Sequence, residues 1–371
     1  MPDKPVKRVF YVNWSGHPRF AESLAEHPDF RLEGLADASP REAADRVIAA
    51  AHCYQVSSGV NDQAPEYLVN DALLARAPRL LLVSTIGAGY DTVDLAACTR
   101  AGVLAVSQAG GGNAQAVAEH ILGMLLGLAK RMPEAGQRMR RGPGTVRGDY
   151  IGRNSAGKML GIIGFGNVGR ILAAMCRAAL GMRVLVCDPH RRPEEVAAAG
   201  CEQANLETLL RTSDYVTLCC PLNGATRGMI GAAQFAQMRP HAYFITAARG
   251  GIHDEAALVA ALADKRIAGA GVDVWDVEPP PPDHPLLAMD NVIATPHTGG
   301  ATLESRIQAA EAAAHKIIDT LAGARPPRLL NPEAWPRYCE RFEAILGFPP
   351  DAARGTAATT QDGAVRRIAT P

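Results

Sequence analysis

Neither sign of charge is in excess: 38 Lys and Arg stand against 38 Asp and Glu in 371 residues. A chain with no basic surplus is ill suited to nucleic acid, whose phosphates require cations on some face. The local exception, Arg138, Arg140, Arg141 and Arg147, reads as the solvated end of a helix, where cations suit the dipole. Long apolar runs are also missing. None reaches the ~18 residues a membrane span needs, and the N-terminus MPDKPVKRVF has no secretory apolar core. These absences lead us to expect a soluble, cytoplasmic protein with no membrane partner. Cysteine is sparse and scattered: Cys53, Cys98, Cys176, Cys187, Cys201, Cys219, Cys220 and Cys339 never form C-x-x-C. That spacing excludes a zinc site or a disulfide framework and predicts reduced, buried thiols. No residue is assigned to a metal.

What the chain does have is apolar residues, 47% of the total, and length enough for two domains at ~150 residues each. Short β-rich runs alternate with Ala/Leu/Glu/Arg-rich helical runs, as in a parallel α/β sheet. RVFYVNW (8–14), RLEGL (31–35), CYQVSS (53–58), RLLLVSTIG (79–87) and VLAVSQA (103–109) form a first series of strands. A helical run from Asn113 to about Arg141 follows. It is apolar on more than one face, which predicts burial against another domain or subunit. A second series comprises MLGIIGFG (159–166), MRVLVCD (182–188), YVTLCCPL (215–222), AYFITAARG (242–250), AGAGVDVWD (268–276) and NVIATPHTG (291–299). A last helix spans about Ala301 to Ala322. Residues 349–371, rich in Ala, Thr, Gly and Pro, read as a disordered tail.

Gly164-Phe165-Gly166-Asn167-Val168-Gly169 is a G-x-G-x-x-G string that follows the strand run LGII and opens a helical run. In that context the glycines allow a tight turn and close backbone approach, with a helix N-terminus facing a pyrophosphate. Asp188 lies nineteen residues after Gly169, at the end of the next strand. A carboxylate there accepts bonds from ribose hydroxyls and repels a 2′-phosphate, favouring NAD over NADP, although Arg191 and Arg192 follow closely.

Arg249, Glu278 and His297 each sit at the carboxyl end of a candidate parallel strand, where open α/β sheets place ligands. Arg can clamp a carboxylate through two bonds, His can move a proton near neutral pH, and Glu can hold its ring and favour the charged form. With a nicotinamide, this set suits reduction of a 2-keto acid. His120, His190, His253, His284 and His315 read as ordinary satisfied groups.

In STIGAGYDTVDL (84–95), NAQAVAEHILGMLLGLAKR (113–131), LGIIGFGNVGR (160–170), PLNGATRGMI (221–230), ARGGIHDEAAL (248–258), GAGVDVWDVEP (269–279) and NVIATPHTGGAT (291–302), the chain resembles the D-isomer-specific 2-hydroxyacid dehydrogenases. That family includes glyoxylate/hydroxypyruvate reductases and D-3-phosphoglycerate dehydrogenases. The resemblance implies an α/β fold of two doubly wound parallel-sheet domains. An NAD-binding Rossmann domain (114–297) would be inserted into a flavodoxin-like substrate domain (1–113 and 298–348), with the cleft between them. It implies catalysis by Arg249, Glu278 and His297, and substrate contacts from Ser58, Ala88, Gly89 and Arg249. Cofactor contacts would come from Gly164, Gly166, Asn167, Val168, Gly169, Asp188, Pro221, Thr226, Ala247, Asp273, Gly299 and Gly300. It also implies a homodimer through the 113–131 helix.

Thr246 stands where many members have Asn, a departure expected to cause only local rearrangement. Val56-Ser57-Ser58 stands where phosphoglycerate-type members often carry an Arg, and the tail is too short for their extra regulatory domain. The strand end Tyr54–Gly59 holds no cation, so a small 2-keto acid such as glyoxylate or hydroxypyruvate suits it better than a phosphorylated one. D-3-phosphoglycerate dehydrogenase and an NAD(H)-sensing, corepressor-like binding protein remain as alternatives. A formate-type dehydrogenase is disfavoured, because it pairs Gln, not Glu, with its His.

Overall fold

Near-continuous apolar residues along the β-rich runs build two sheets, each parallel throughout. The computed structural model describes residues 5–108, 112–144 and 146–351. The chain divides into two units, Met1–Gly111 with Arg306–Pro371, and Gly112–Ser305.

In the first unit β1 (Lys7–Val12), β2 (Phe30–Leu35), β3 (Cys53–Val56), β4 (Leu82–Thr85) and β5 (Leu104–Val106) lie in the order β2-β1-β3-β4-β5. Successive side chains point to opposite faces. Val9, Leu82 and Leu104 therefore pack one core with Phe20 and Tyr338, while Phe10, Tyr54 and Val83 pack the other. Both faces are covered, as a parallel sheet requires.

The second unit orders β6 (Met159–Ile163), β7 (Arg183–Cys187), β8 (Glu202–Gln203), β9 (Tyr215–Leu218), β10 (Tyr243–Thr246), β11 (Gly269–Val272) and β12 (Val292–Ala294) as β12-β11-β10-β9-β6-β7-β8. The chain winds outward from β6 to β8, then returns to the other side of β6 at β9. That reversal creates a switch point at the carboxyl end of β6, where such sheets bind ligands.

Several expectations need correcting. All the expected strands but the second end one to five residues sooner than the apolar runs suggest, because the chain leaves the ladder where the loops begin. The run from Asn113 to Arg141 is two helices, Asn113–Ala129 and Met132–Arg140. Arg131 adopts φ 51°, and Pro133 beyond it has no amide to continue a helix. The first of these helices buries Ile121, Met124, Leu125 and Leu128 in the core of its own unit. The expected burial against a different domain or subunit is not needed to explain its composition. Residues 298–305 group with the second unit because Asp273 accepts hydrogen bonds from the Thr298 and Gly299 amides.

A further helix, Trp335–Leu346, buries Tyr338, Phe342 and Leu346. The expected tail begins later than residue 349: Pro350 is buried, and the Asp351 amide donates to Gly323 O at 2.9 Å. The rest of that tail, 352–371, lies outside the described residues, as does Ala109 of the fifth expected strand. Cys53, Cys98, Cys176 and Cys201 are buried as expected, but Cys187, Cys219, Cys220 and Cys339 are only half-buried. Arg138 and Arg140 lie in the last turn of the helix Met132–Arg140, Arg138 donates to Pro143 O, and Arg141 just beyond pairs with Asp290. Among the described residues no helix is long and apolar enough to cross a membrane.

Candidate active site

Three glycines after β6 have three different physical roles. Gly164 has φ +95°, and a Cβ there would lie 2.6 Å from Cys220 N. A Cβ on Gly169 would lie 2.5 Å from Gly164 O, so the helix packs tightly on the turn. At Gly166 a Cβ would meet nothing within 4 Å. Gly166 is the N-cap of the helix Asn167–Leu180, and no side chain caps that terminus. The first-turn amides therefore face an open cradle, which fits the pyrophosphate of a dinucleotide. Asn167 is exposed and Val168 half-buried at its rim.

Asp188 follows β7 and is fixed by two backbone amides. Its Oδ2 accepts from Phe165 N at 2.7 Å, and its Oδ1 from His190 N at 2.9 Å. The carboxylate is thereby tied to the glycine turn itself. Arg191 and Arg192 both lie against Glu195, at 3.7 and 3.3 Å. Pro221 and Thr226 sit together in the loop after β9, where Thr226 Oγ1 donates to Pro221 O at 2.7 Å.

Glu278 and His297, nineteen residues apart, meet: His297 Nδ1 lies 2.7 Å from Glu278 Oε2. Glu278 Oε1 accepts from the Trp275 amide at 3.1 Å, and the Trp275 indole donates to Thr295 O at 3.0 Å. Burial would raise the Glu278 carboxyl, but the His297 ring, the Trp275 amide and the Arg249 charge outweigh it and hold it below the usual glutamate value. The pair thus adds stability above the ordinary carboxylate range, lost as pH falls through the lowered value. Arg249 is half-buried and donates to Ala248 O at 2.7 Å. The three expected catalytic residues therefore converge. His297 Nε2 makes no hydrogen bond to a described residue, which leaves that nitrogen available to a substrate.

His297 itself has φ +53°, unusual for a residue with a side chain. Asp273, 1% exposed, is what holds it there. Its backbone O accepts from His297 N at 2.7 Å, its Oδ1 from Thr298 N and Thr295 Oγ1, and its Oδ2 from Gly299 N. His120 Nε2 lies 3.1 Å from Thr295 Oγ1 and 3.5 Å from Asp273 Oδ1, behind the same loop. Sequence reasoning missed Trp275 and Thr295, and gave His120 no part in the site. Nothing in a linear pattern marks residues that act through other residues.

His253 contradicts its expectation as a satisfied group. Neither ring nitrogen has a partner among the described residues, and burial pushes it down to about 4, so it stays neutral. Thr246 is buried with no partner for its Oγ1 among the described residues. Ala247 is buried beside it, and Gly300 is half-buried after the His297 loop.

In the first unit Ser58 Oγ accepts from Gly87 N at 2.8 Å, and Gly87 O accepts from Thr85 Oγ1 and Gln108 N. The next two amides, of Ala88 and Gly89, donate to no described residue. Two adjacent free amides suit a carboxylate.

A family model described as D-isomer specific 2-hydroxyacid dehydrogenase, NAD binding domain, matches residues 122–299. Over 267 residues the chain is 38% identical to a glyoxylate/hydroxypyruvate reductase B of Citrobacter koseri, covering 71% of this chain and 82% of that relative. The chain belongs to the D-isomer-specific 2-hydroxyacid dehydrogenase family. It is also 35% identical over 303 residues to a D-3-phosphoglycerate dehydrogenase of Archaeoglobus fulgidus, covering 81% of this chain but 56% of that relative. A solved D-lactate dehydrogenase from Aquifex aeolicus, complexed with NAD and lactic acid, matches with a TM-score of 0.72 at 27% identity, covering 85% of this chain and 96% of that one. As a member of the family, the protein is an oxidoreductase that works with NAD or NADP through a Rossmann domain. The open cradle at Gly166 lies inside the matched segment.

Proposed function

We propose that this dehydrogenase reduces a small 2-keto acid with an uncharged substituent, of the glyoxylate or hydroxypyruvate kind, to its D-2-hydroxy acid with NADH. Bound NADH supplies the hydride that the carbonyl carbon receives. Protonated His297 gives its Nε2 proton to the carbonyl oxygen, so the acid gains hydride and proton together. Glu278 holds the ring by Nδ1 and stabilises the imidazolium. Arg249 binds the carboxylate and polarises the carbonyl, and the free Ala88 and Gly89 amides are proposed as carboxylate ligands. The observation that carries this reading is the 2.7 Å pairing of His297 with Glu278.

The substituent preference is supported by the end of β3, where Ser57 Oγ donates to the carboxylate of Asp62. A carboxylate beside Ser58 repels a phosphate dianion. Initial rates with NADH and glyoxylate, hydroxypyruvate or 3-phosphohydroxypyruvate, side by side, test this. Higher kcat/KM for the unphosphorylated acids is expected, and a clear preference for the phosphorylated one refutes it. NADH binding with no turnover of any acid leaves the nucleotide-sensing alternative standing.

The choice of NADH rests on Asp188. Its carboxylate, fixed at the glycine turn, accepts ribose hydroxyls and repels a 2′-phosphate, while Glu195 competes for Arg191 and Arg192. Fluorescence titration should show tighter NADH than NADPH binding, with Asp188→Ala narrowing the gap. Equal affinities in the parent exclude this assignment.

The 113–131 helix and the segment after it are proposed as a homodimer contact. Helix Met132–Arg140 has no buried residue, and Met132, Met139, Val146 and Ile151 are all more than half exposed. Exposed apolar side chains clustered in one segment mark an interaction surface. Sedimentation should give a dimer mass that Met139→Glu lowers; a parent of monomer mass rules it out.

A further inference from the structure

In the unit that holds the two free amides, the reduction chemistry leaves a half-buried lysine unused. Lys316, on the helix Leu303–Leu321, is half-buried and directs its ammonium into the first unit. Its Nζ donates to Ser107 O at 2.6 Å and to Gln108 Oε1 at 3.0 Å, just past the end of β5. Gln108 is 2% exposed and passes the contact on. Its Nε2 donates to Thr85 O at 3.1 Å and to Ser84 Oγ at 3.2 Å, at the end of β4. Its own amide donates to Gly87 O at 2.9 Å. Gly87 in turn is bonded through its amide to Ser58 at the end of β3.

One cation thus ties together three strand ends, and the chain of bonds stops at the residue before Ala88. Holding a charge there is costly: burial, with Arg328 nearby, pushes Lys316 down to about 8. A neutral apolar residue would fill the same space without that cost, so a purely packing role does not explain an ammonium.

We propose that Lys316 is a positioning residue for substrate: through Gln108 it sets the Gly87 peptide, and so the direction of the Ala88 and Gly89 amides that take the substrate carboxylate. This rests on the keto-acid reductase reading above. A loop held by charge-assisted bonds keeps its donors aimed before the acid arrives, which lowers KM without touching the hydride or proton step. The nucleotide, bound by the other unit's glycine turn, is unaffected.

Two variants test it. Lys316→Met removes the charge, and Gln108→Glu keeps an acceptor for the lysine while removing the donor to Thr85 O and Ser84 Oγ. In both, KM for the keto acid should rise about tenfold, the scale of one lost charge-assisted bond. Values of kcat and NADH Kd should stay near the parent's, and hydrogen exchange should quicken in the peptide covering residues 84–92. A folded Lys316→Met protein with the parent's KM and exchange overturns the proposal. So does a parallel loss of kcat and NADH affinity, which marks a general structural role. Should Lys316→Met not fold, Gln108→Glu decides alone, and an unchanged KM in it overturns the relay. The exchange measurement needs no turnover. A parent that reduces no keto acid therefore refutes the reductase reading, while the exchange result still judges the lysine.

Discussion

Replacing His297 by alanine should lower kcat for keto-acid reduction by roughly 10²–10⁴-fold, the usual scale for a lost general acid, while NADH binding stays nearly intact. The imidazole is bonded to Glu278 and not to the glycine turn, so its loss leaves the dinucleotide cradle untouched. The paired experiment is Glu278→Gln. Reduction consumes a proton carried by His297, so activity falls as pH rises. The Glu278 carboxylate, held anionic below its usual range, favours the charged ring. With a neutral amide in its place the fall should begin at lower pH. Arg249→Ala should raise KM as well as lower kcat, because it removes carboxylate binding that precedes the transition state. A Glu278→Gln pH profile that overlays the parent's would mean that the Glu–His pairing has no catalytic consequence.

Gly166→Ala should weaken NADH binding roughly a hundredfold, about 2.7 kcal/mol, with almost no change in thermal stability. A methyl group at Gly166 meets no protein atom within 4 Å, so the fold tolerates it. It fills the space through which a pyrophosphate approaches the first amides of the helix Asn167–Leu180. Gly164→Ala should behave in the opposite manner. Its φ of +95° and the 2.6 Å approach of Cys220 N make any side chain a structural fault, so the melting temperature falls whether or not NADH is present. Titration and thermal melts on the two variants separate a ligand-contact glycine from a turn glycine. If Gly166→Ala binds NADH like the parent, the cradle is not the pyrophosphate site.

Much of this protein is determined locally and is therefore legible in one dimension. Continuous apolar runs set the strands of both parallel sheets, since a strand buried on two faces must be apolar along its length. G-x-G-x-x-G after such a run forces a tight turn into a helix, and Asp188 follows at the next strand end. Arg249, Glu278 and His297 could be chosen in advance because carboxyl ends of parallel strands are where such folds do chemistry. The tertiary structure decided what depends on residues far apart in the chain. The break at Arg131 was written in Pro133, but the apolar helix before it packs on its own sheet, a matter of which surface lies nearest. The positive φ of His297 is held by the buried Asp273 carboxylate and the three donors around it. Lys316 reaches Ser107 and Gln108 from more than two hundred residues away. A side chain's role in such networks is set by the partners that folding brings to it, and no spacing in the sequence encodes those partners.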